Sequence, residues 1–228
     1  MINKNSYKKV KVYKNKNFVS FNISKRKIYA DENSVSAIIE EFLGNYHKDI
    51  SVKDKIVFDI GGYMGETALL YHANGARHVY TFEPVNYLFN ITKKNIRLNK
   101  LDAKITAINA FVIGGHKIFD SNDFELNKNK KIRTVNINKF KINNIIMKVD
   151  CEGGEYEIIK NITSNTLKKF EAIQIEYHYG YKNIYEYLKK EGFDVFFNKP
   201  HLSIVGKFNK VKYMGDLFAY KKNKAEIK

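Results

Sequence analysis

The chain has 228 residues, of which 44% are hydrophobic and 14% aromatic, and it carries a formal net charge of +16. This length suits one α/β domain with some additional elements, and the apolar content is enough to bury a sizeable core. No run approaches the roughly 18 apolar residues that a membrane span needs, and the basic N-terminal segment lacks the apolar stretch of a secretory signal. The single cysteine, Cys151, excludes an internal disulfide framework and a cysteine-rich zinc site. We therefore expect a cytoplasmic protein.

The positive charge comes almost entirely from lysine. Of the 40 basic residues, only four are arginines. Arginine supplies the bidentate contacts on which specific nucleic-acid recognition depends, and the lysines are spread along the whole chain between asparagines. This distribution favours a solvated surface, and a nucleic-acid partner is kept as the less favoured alternative.

The first fifty residues differ in pattern from the rest of the chain. Residues 7–29 alternate polar and apolar side chains, which predicts a β-hairpin or two short strands. Residues 31–47 follow as a predicted helix with one apolar face. We expect residues 1–50 to form an extension packed on a domain that spans residues 51–228.

From residue 55 onward, short apolar runs alternate with amphipathic segments. The runs predict strands at residues 56–60, 78–82, 104–109, 145–150, 172–177 and 193–197. The amphipathic segments predict helices at residues 66–73, 84–99, 155–170 and 181–191. Pro84 is expected in the first helical turn, where its missing N–H costs nothing.

Two regions depart from this alternation. Residues 111–140 are irregular in pattern, with short strands predicted at 117–119 and 132–137. Residues 201–208 and 217–221 are expected to close the sheet as a terminal hairpin. The remaining alternation of strand and helix indicates a mainly parallel sheet covered on both faces. Such sheets bind ligands at the carboxyl ends of their strands, so the residues that end each strand are the candidates for function.

The first predicted strand runs from Asp59 into a glycine-rich turn with the sequence DIGGYMGET. A glycine has no Cβ, so the backbone turns sharply and comes close to a ligand. The helix that follows begins with unpaired N–H groups, which are directed toward the same place. Taken alone, this pattern is equally typical of a plain tight turn between a strand and a helix.

Glu83 ends the second predicted strand, 24 residues after Asp59. An acidic side chain at this point can accept hydrogen bonds from both hydroxyls of a ribose, although it could also complement a helix N-terminus. Together, the glycine turn and the acidic strand end indicate a cofactor that contains a nucleoside. NAD and S-adenosylmethionine both remain open here, but the turn lacks the G-x-G-x-x-G spacing, which favours a cofactor without a pyrophosphate.

A second group of acidic residues surrounds the ends of the fourth and fifth predicted strands. Asp150, Glu152 and Glu155 follow the fourth strand, and Glu176 and His178 lie at the end of the fifth. Residues two apart on a strand point to the same side, and histidine is the natural general base near neutral pH. The alternative is that the three acids only cap the start of a helix.

Four stretches of the sequence resemble the FkbM family of S-adenosylmethionine-dependent methyltransferases. They are VFDIGGYMGETA, TFEPVNYLFNITKKNIRLN, IMKVDCEGGEYEII and IQIEYH, in that order. The third contains the family signature K-x-D-x-E-G-x-E in register, from Lys148 to Glu155. The resemblance covers residues 55–197. It implies a Rossmann-like α/β fold with a mainly parallel central sheet. The N-terminal extension and the C-terminal antiparallel hairpin lie outside the resemblance and are expected from the sequence pattern alone.

The chain departs from the family pattern at two places. The family's first turn usually reads D-x-G-A-N-x-G, whereas here Gly62 and Tyr63 replace alanine and asparagine. The family often has T-L-D before the fourth strand, and here the stretch is Thr134-Val135-Asn136. The second departure removes one carboxylate near the site.

The resemblance also implies roles for individual residues. The residues expected to bind the cofactor, S-adenosylmethionine, are Asp59, Gly61, Gly62, Gly65 and Glu83, with Asn109 or Ala110 near the adenine. The residues expected on the acceptor side are Asp150, Glu152, Glu155, Glu176 and His178. The family is associated with O-methylation of sugars and of hydroxyl groups in small molecules, so a small molecule or a glycan is the expected acceptor.

Deprotonation of an alcohol requires a base, for which His178 ranks first and Asp150 second, with Glu176 orienting either one. Cys151 is expected on the opposite face of the strand, in the core. Clustered carboxylates would suit Mg²⁺, but the resemblance requires no metal and none is assigned. Two alternatives stay open: an RNA-modifying methyltransferase that uses the basic surface, and a binding module that has kept the cofactor but not the reaction.

Overall fold

A computed structural model describes most of the chain, namely residues 13–15, 17–23, 25–43, 50–115, 133–205 and 210–222. The chain divides into two compact units, Met1–Asn109 and Ala110–Lys228. Within the described ranges, no helix has both the length and the apolar character needed to cross a membrane.

The first unit contains six strands and three α-helices among its described residues. The strands are β1 Tyr13–Asn15, β2 Phe18–Ile23, β3 Arg26–Asp31, β4 Ile56–Ile60, β5 His78–Phe82 and β6 Ile105–Ile108. The helices are α1 Val35–Leu43, α2 Glu66–Ala73 and α3 Asn86–Leu98, with a short 3₁₀ helix over Glu32–Ser34 before α1.

The second unit contains seven strands and three α-helices among its described residues. The strands are β7 Phe111–Ile113, β8 Thr134–Asn136, β9 Ile145–Val149, β10 Phe170–Tyr177, β11 Phe193–Phe197, β12 His201–Val205 and β13 Lys210–Lys221. The helices are α4 Glu155–Asn161, α5 Ser164–Leu167 and α6 Lys182–Lys190, and a 3₁₀ helix covers Ile137–Lys139.

The N-terminal segment forms a three-stranded antiparallel sheet in the order β1-β2-β3. Alternate residues of β2, such as Val19 and Phe21, are buried, so the predicted period of two is present. The prediction of a hairpin or two strands missed the third strand, and part of the predicted segment lies outside the described residues. Asp31 ends β3 and accepts hydrogen bonds from two backbone N–H groups of the next turn, which starts the predicted helix three residues before α1 proper.

Three parallel strands carry the rest of the first unit, with β5 between β4 and β6. In this register Ile60 lies beside Phe82, and Phe82 lies beside Ile108. The carboxyl ends of all three strands therefore lie side by side. Four successive residues of β4 are buried, so both of its faces are covered, which explains its nearly continuous apolar run.

Helix α3 begins later than expected. Its N-cap is Val85 and its first residue Asn86, so Pro84 stands before the helix and not in its first turn. A carboxylate accounts for this displacement, because Glu83 accepts a hydrogen bond from the Val85 N–H at 2.8 Å and holds the chain extended there. Further along, the amide side chain of Asn95 bonds both the N–H and the C=O of Tyr29, which attaches α3 to β3.

In the second unit, β9 and β10 are parallel, and β13 runs antiparallel to β10, β11 and β12. The predicted terminal hairpin is confirmed as β12 and β13, although β13 is longer than expected because it spans three partners. Strand β7, which was not predicted, pairs in parallel with β8. The predicted strand at residues 117–119 lies outside the described residues. The parallel strands and interleaved helices confirm the predicted α/β class.

Candidate functional site

The glycine-rich turn after β4 is held against the end of β5. The N–H groups of Gly61 and Gly62 both donate to the carbonyl of Phe82, each at 3.0 Å. Gly61 has a φ of 83° and Gly65 a φ of 84°, a conformation that L-residues with side chains rarely adopt. Gly65 is also the N-cap of α2, so the turn delivers the chain directly into that helix.

Asp59 lies fully buried at the end of β4 and organises the floor of the turn. Its Oδ2 accepts hydrogen bonds from the hydroxyls of Thr67 at 2.8 Å and Thr81 at 2.9 Å. A Cβ on Gly62 would lie 1.9 Å from the Thr81 hydroxyl oxygen. Packing alone therefore explains the glycine at position 62, a predicted cofactor residue, because the Thr81 hydroxyl occupies the space that the side chain of the family's usual alanine would fill.

Glu83 follows β5 and is buried, with 6% of its surface exposed. Its two carboxylate oxygens accept hydrogen bonds from the backbone N–H groups of Tyr63 at 3.0 Å and Val85 at 2.8 Å. Asn109, at the end of β6, donates from its amide to the carbonyls of Glu83 and Pro84. This brings the predicted Asp59, Glu83 and Asn109 to adjacent strand ends of one unit, and Asn109 fixes the backbone around Glu83.

The chemistry of these strand ends fits S-adenosylmethionine better than a dinucleotide. The turn at residues 59–67 and the strand end at residues 83–85 contain Asp59, Glu66 and Glu83 but no lysine or arginine. Carboxylates suit the ribose hydroxyls and the two positive charges of the sulfonium cofactor, whereas a pyrophosphate needs positive charge or free helix N–H groups. Ala110, also predicted near the adenine, is fully buried and is the first residue of the second unit.

In the second unit, the predicted acceptor-side residues surround Glu155. This carboxylate is the first residue of α4 and is completely buried. Its Oε1 accepts from the backbone N–H of His178 at 3.1 Å and contacts the Nδ1 of the same residue at 2.9 Å. Its Oε2 accepts from the N–H of Gly153 at 2.9 Å. Glu155 therefore joins the loop after β9 to the end of β10.

His178 is held from both ring nitrogens and has 1% of its surface exposed. The Glu155 carboxylate accepts a hydrogen bond from Nδ1, so the proton of the neutral ring belongs on that nitrogen. The other nitrogen, Nε2, lies 3.5 Å from Glu152 Oε2 and 3.9 Å from Asp150 Oδ1. Burial by itself lowers the pKa of His178, but the hydrogen bond and the charge of Glu155, with those of the other two carboxylates, outweigh it and raise the pKa above its ordinary value.

Asp150 is more accessible than His178, with 28% and 1% of their side chains exposed, and Glu152 is 59% exposed. Lys148 Nζ lies 3.3 Å from Asp150 Oδ2. Burial opposes ionisation of Asp150, but the charges of Lys148 and His178 outweigh it and lower its pKa. Burial and the charge of Asp150 raise the pKa of the neighbouring Glu176 to about 8, so Glu176 is mainly protonated at neutral pH.

Two features of this cluster differ from expectation. Cys151 is not turned away from the acids: its Sγ lies 3.8 Å from Glu155 Oε2. The strand ends at Val149, so strand alternation no longer applies at Cys151, and Glu152 has a φ of 57°. The second feature is Lys148, which was not predicted to belong to the site. It is 5% exposed and ion-paired with Asp150. A lysine inside a buried apolar strand is rare unless it is paired, so its position in the sequence could have indicated this role.

Among the residues that the structure describes, no group of three or more histidine, cysteine, aspartate or glutamate side chains is placed to hold a metal ion. The cluster around Glu155 is instead linked by hydrogen bonds and ion pairs, with one lysine and one histidine to balance its carboxylates. Its geometry suits proton transfer.

The sequence profile described as the methyltransferase FkbM domain matches residues 59–195, which include both groups of strand ends. The chain belongs to the FkbM methyltransferase family. Enzymes of this family take their methyl group from S-adenosylmethionine, which is therefore the cofactor of this chain. No curated protein matches the chain by sequence.

Solved structures agree on the fold. TYW2 of Pyrococcus horikoshii, in complex with MeSAdo, is 16% identical, with a TM-score of 0.55 over 92% of this chain and 74% of its own. A tRNA m1G37 methyltransferase of M. jannaschii is 14% identical, with a TM-score of 0.52 over 94% of this chain and 57% of its own. At such low identity, these matches show the Rossmann-like methyltransferase fold alone.

Proposed function

We propose that the protein is an O-methyltransferase that acts on a hydroxyl group of a sugar or another small molecule. The observation that carries this proposal is the accessible Asp150 carboxylate backed by the buried His178 and Glu155. S-adenosylmethionine, when bound, supplies a methyl group that its sulfonium already activates. The residues of the chain therefore have to bind, orient and remove a proton from the acceptor.

The exposed fractions reverse the order in which the sequence ranked the two candidate bases. Asp150 has 28% of its side chain exposed and His178 has 1%. We therefore propose that Asp150 contacts the acceptor hydroxyl. The proton leaves the hydroxyl for Asp150 Oδ1 and passes to His178 Nε2, and Glu155 stabilises the resulting imidazolium through Nδ1. Glu176, protonated beside Asp150, orients that carboxylate.

The strand ends of the first unit would hold the cofactor. Glu83 would accept from the ribose hydroxyls, and the turn from Asp59 to Gly65 would place the backbone against the amino-acid portion. S-adenosylmethionine should raise the melting temperature, and NAD should not. Glu83→Gln keeps the side-chain length and should weaken cofactor binding by about 1–3 kcal/mol, because hydroxyl donors lose a charged acceptor. Equal melting shifts with NAD would contradict the assignment.

The decisive experiment for the reaction is Asp150→Asn, which keeps the shape and removes the charge. Turnover to S-adenosylhomocysteine should be followed first without acceptor and then with a panel of sugars and glycosides. On an identified acceptor we expect a loss of roughly 10²–10⁴ in rate, with an unchanged melting shift by S-adenosylmethionine. Asp194→Asn in β11 is a matched control, because its partner Lys222 lies on the surface.

Each other outcome has a definite meaning. Full turnover by Asp150→Asn would move the base to His178. Loss of cofactor binding in that variant would place the end of β9 in the cofactor site. Absence of turnover in the parent protein on every hydroxyl acceptor would favour the non-catalytic binding module.

We also propose that residues 1–50 are an extension and that residues 51–228 form the methyltransferase domain.

A further inference from the structure

The outward side of α3 is the most strongly basic helix surface that the structure describes in the first unit. Between residues 84 and 101 the chain has four cations and no acid. Lys93, Lys94 and Arg97 line an open groove of about 440 Å³, together with Asn90 and Leu98. The groove belongs to neither group of strand ends described above.

Aromatic rings adjoin this groove where α3 packs on the N-terminal sheet. Phe18 and Tyr29 are stacked, with ring centroids 4.9 Å apart and an interplanar angle of 3°. Tyr87, at the start of α3, is 52% exposed and lies 6.3 Å from Phe18. The Lys94 ammonium stands 3.0 Å from the centre of the Tyr29 ring. Phe18 and Tyr29 are half-buried and stacked on each other, and Lys94 lies over the Tyr29 ring, so the exposed ring beside these cations is that of Tyr87.

Helix stability does not account for this arrangement. Cations in the last turn of a helix complement its dipole, which explains Arg97. Lys93 and Lys94 lie before that turn and repel each other and Arg97. Asp102 lies 4.0 Å from Arg97 Nε, and the Arg97 and Asp102 side chains are 68% and 65% exposed. A pair so exposed contributes little.

We propose that this surface, formed by the basic side of α3 and the exposed Tyr87 ring, binds single-stranded RNA. Lysine and arginine along a groove neutralise successive phosphates. An exposed ring such as that of Tyr87 stacks on a base without regard to sequence, and cations beside such a ring are usual in proteins that bind single strands. Asn90 in the groove offers a donor and an acceptor to the ribose 2′-hydroxyl, which distinguishes RNA from DNA. This binding does not depend on the proposed reaction.

The test is fluorescence anisotropy of a labelled 12-nucleotide single-stranded RNA over a range of salt concentrations. Lys93→Gln/Lys94→Gln should weaken binding at least fivefold and reduce the slope of log affinity against log salt by about 1.4, since each phosphate contact to a single strand contributes about 0.7. Tyr87→Ala should weaken binding roughly tenfold through lost stacking.

The second unit offers a matched control in Lys189→Gln/Lys190→Gln on α6. These two lysines are adjacent and exposed, and Lys189 also stands over a tyrosine ring, 5.9 Å from the centre of Tyr185. Binding should be unchanged in this variant. The proposal is overturned by equal losses in the two double variants. It is also overturned if a single-stranded DNA oligomer of the same length binds as tightly as the RNA, or if the protein captures anionic vesicles in preference to RNA. A retained melting shift with S-adenosylmethionine shows that each variant is folded.

Discussion

Gly62 and Thr81 form a coupled pair whose energetics can be measured. Gly62→Ala should cost about 1–3 kcal/mol in the free energy of unfolding, because the new methyl overlaps the Thr81 hydroxyl. Thr81→Ala alone should cost about 1 kcal/mol for the lost hydrogen bond to Asp59. The double variant should be more stable than the sum of the two losses predicts, since removal of the hydroxyl makes room for the methyl. Urea unfolding of all four proteins measures the coupling.

Strict additivity in that cycle would show that the turn relaxes around the new methyl. The family's usual alanine at this position is then tolerated for some other reason. Thr67→Ala is a useful control, because it removes the other hydroxyl bonded to Asp59 without making room at Gly62.

In the proposed reaction, Glu155 would act through His178, whose Nδ1 it contacts at 2.9 Å. Glu155→Gln removes the charge and the strongest hydrogen-bond acceptor at Nδ1, so the pKa of His178 should fall. His178 accepts a proton only when it is neutral, and turnover in the parent should therefore rise as pH increases through that raised pKa. In the variant this rise should occur at lower pH. The pH dependence of kcat/KM measures the displacement, which a purely structural role for Glu155 would not produce.

Glu157→Gln is the corresponding control, because Glu157 lies on the same helix and bonds the backbone of Gly114. An unchanged pH profile in Glu155→Gln, with turnover retained, would remove His178 from the proton path.

At the level of single residues, the sequence located the acidic residues and His178 because each follows a predicted strand. It ranked His178 above Asp150 as the base, whereas the exposed fractions favour the opposite order, because exposure depends on the path of residues 150–154, where Glu152 adopts a positive φ. The pairing of Lys148 with Asp150 was also not predicted. Alternation along a strand indicates which residues share a face, but not which loop lies over that face.

Among the elements, α3 is attached to the N-terminal sheet chiefly through Asn95. This side chain is fully buried and bonds the N–H and C=O of Tyr29 and the carbonyl of Met64. Asn95→Ala should reduce the free energy of unfolding by about 2–4 kcal/mol, because it leaves several buried backbone groups unsatisfied. Chemical denaturation would measure this loss. Asn90→Ala, on the exposed side of the same helix, should change it little; comparable losses in both would contradict the role given to Asn95.

The bounds of several elements followed directly from the sequence. Strands β4, β5 and β11 and helix α2 coincide with the prediction, since each is an apolar or amphipathic run between glycines or charged residues. The pairing of β7 with β8 could not be predicted, because three-residue strands carry almost no periodicity and their stability comes from a distant partner. The later start of α3 could not be predicted either. It depends on the hydrogen bond from the Val85 N–H to Glu83, whereas the prediction used only the preference of proline for the first helical turn.

At the scale of the whole molecule, Glu176 makes stability depend on pH. Its pKa is raised to about 8 from the model-compound value of 4.5, so the neutral form is favoured on folding. Its contribution is fully present below about pH 4.5 and is lost as pH rises through about 8. Glu176→Gln should therefore flatten the fall in melting temperature between these limits.

The control for this measurement is Glu186→Gln on the exposed side of α6. It should retain the parent dependence on pH. Identical pH dependence in Glu176→Gln and the parent would show that the carboxyl is ionised in the folded protein across this range.

Strand β13 has a consequence for how the protein is made. It is the last described strand in the chain, yet it lies between β10 and β11 and pairs with β12 as well. While the chain is being synthesised, β10 has an open edge over Ala172–Tyr177 until β13, which ends at Lys221, has left the ribosome. An exposed apolar edge of this kind joins readily to other chains. We therefore expect β10 to be the edge at which the nascent chain is prone to aggregate before β13 emerges.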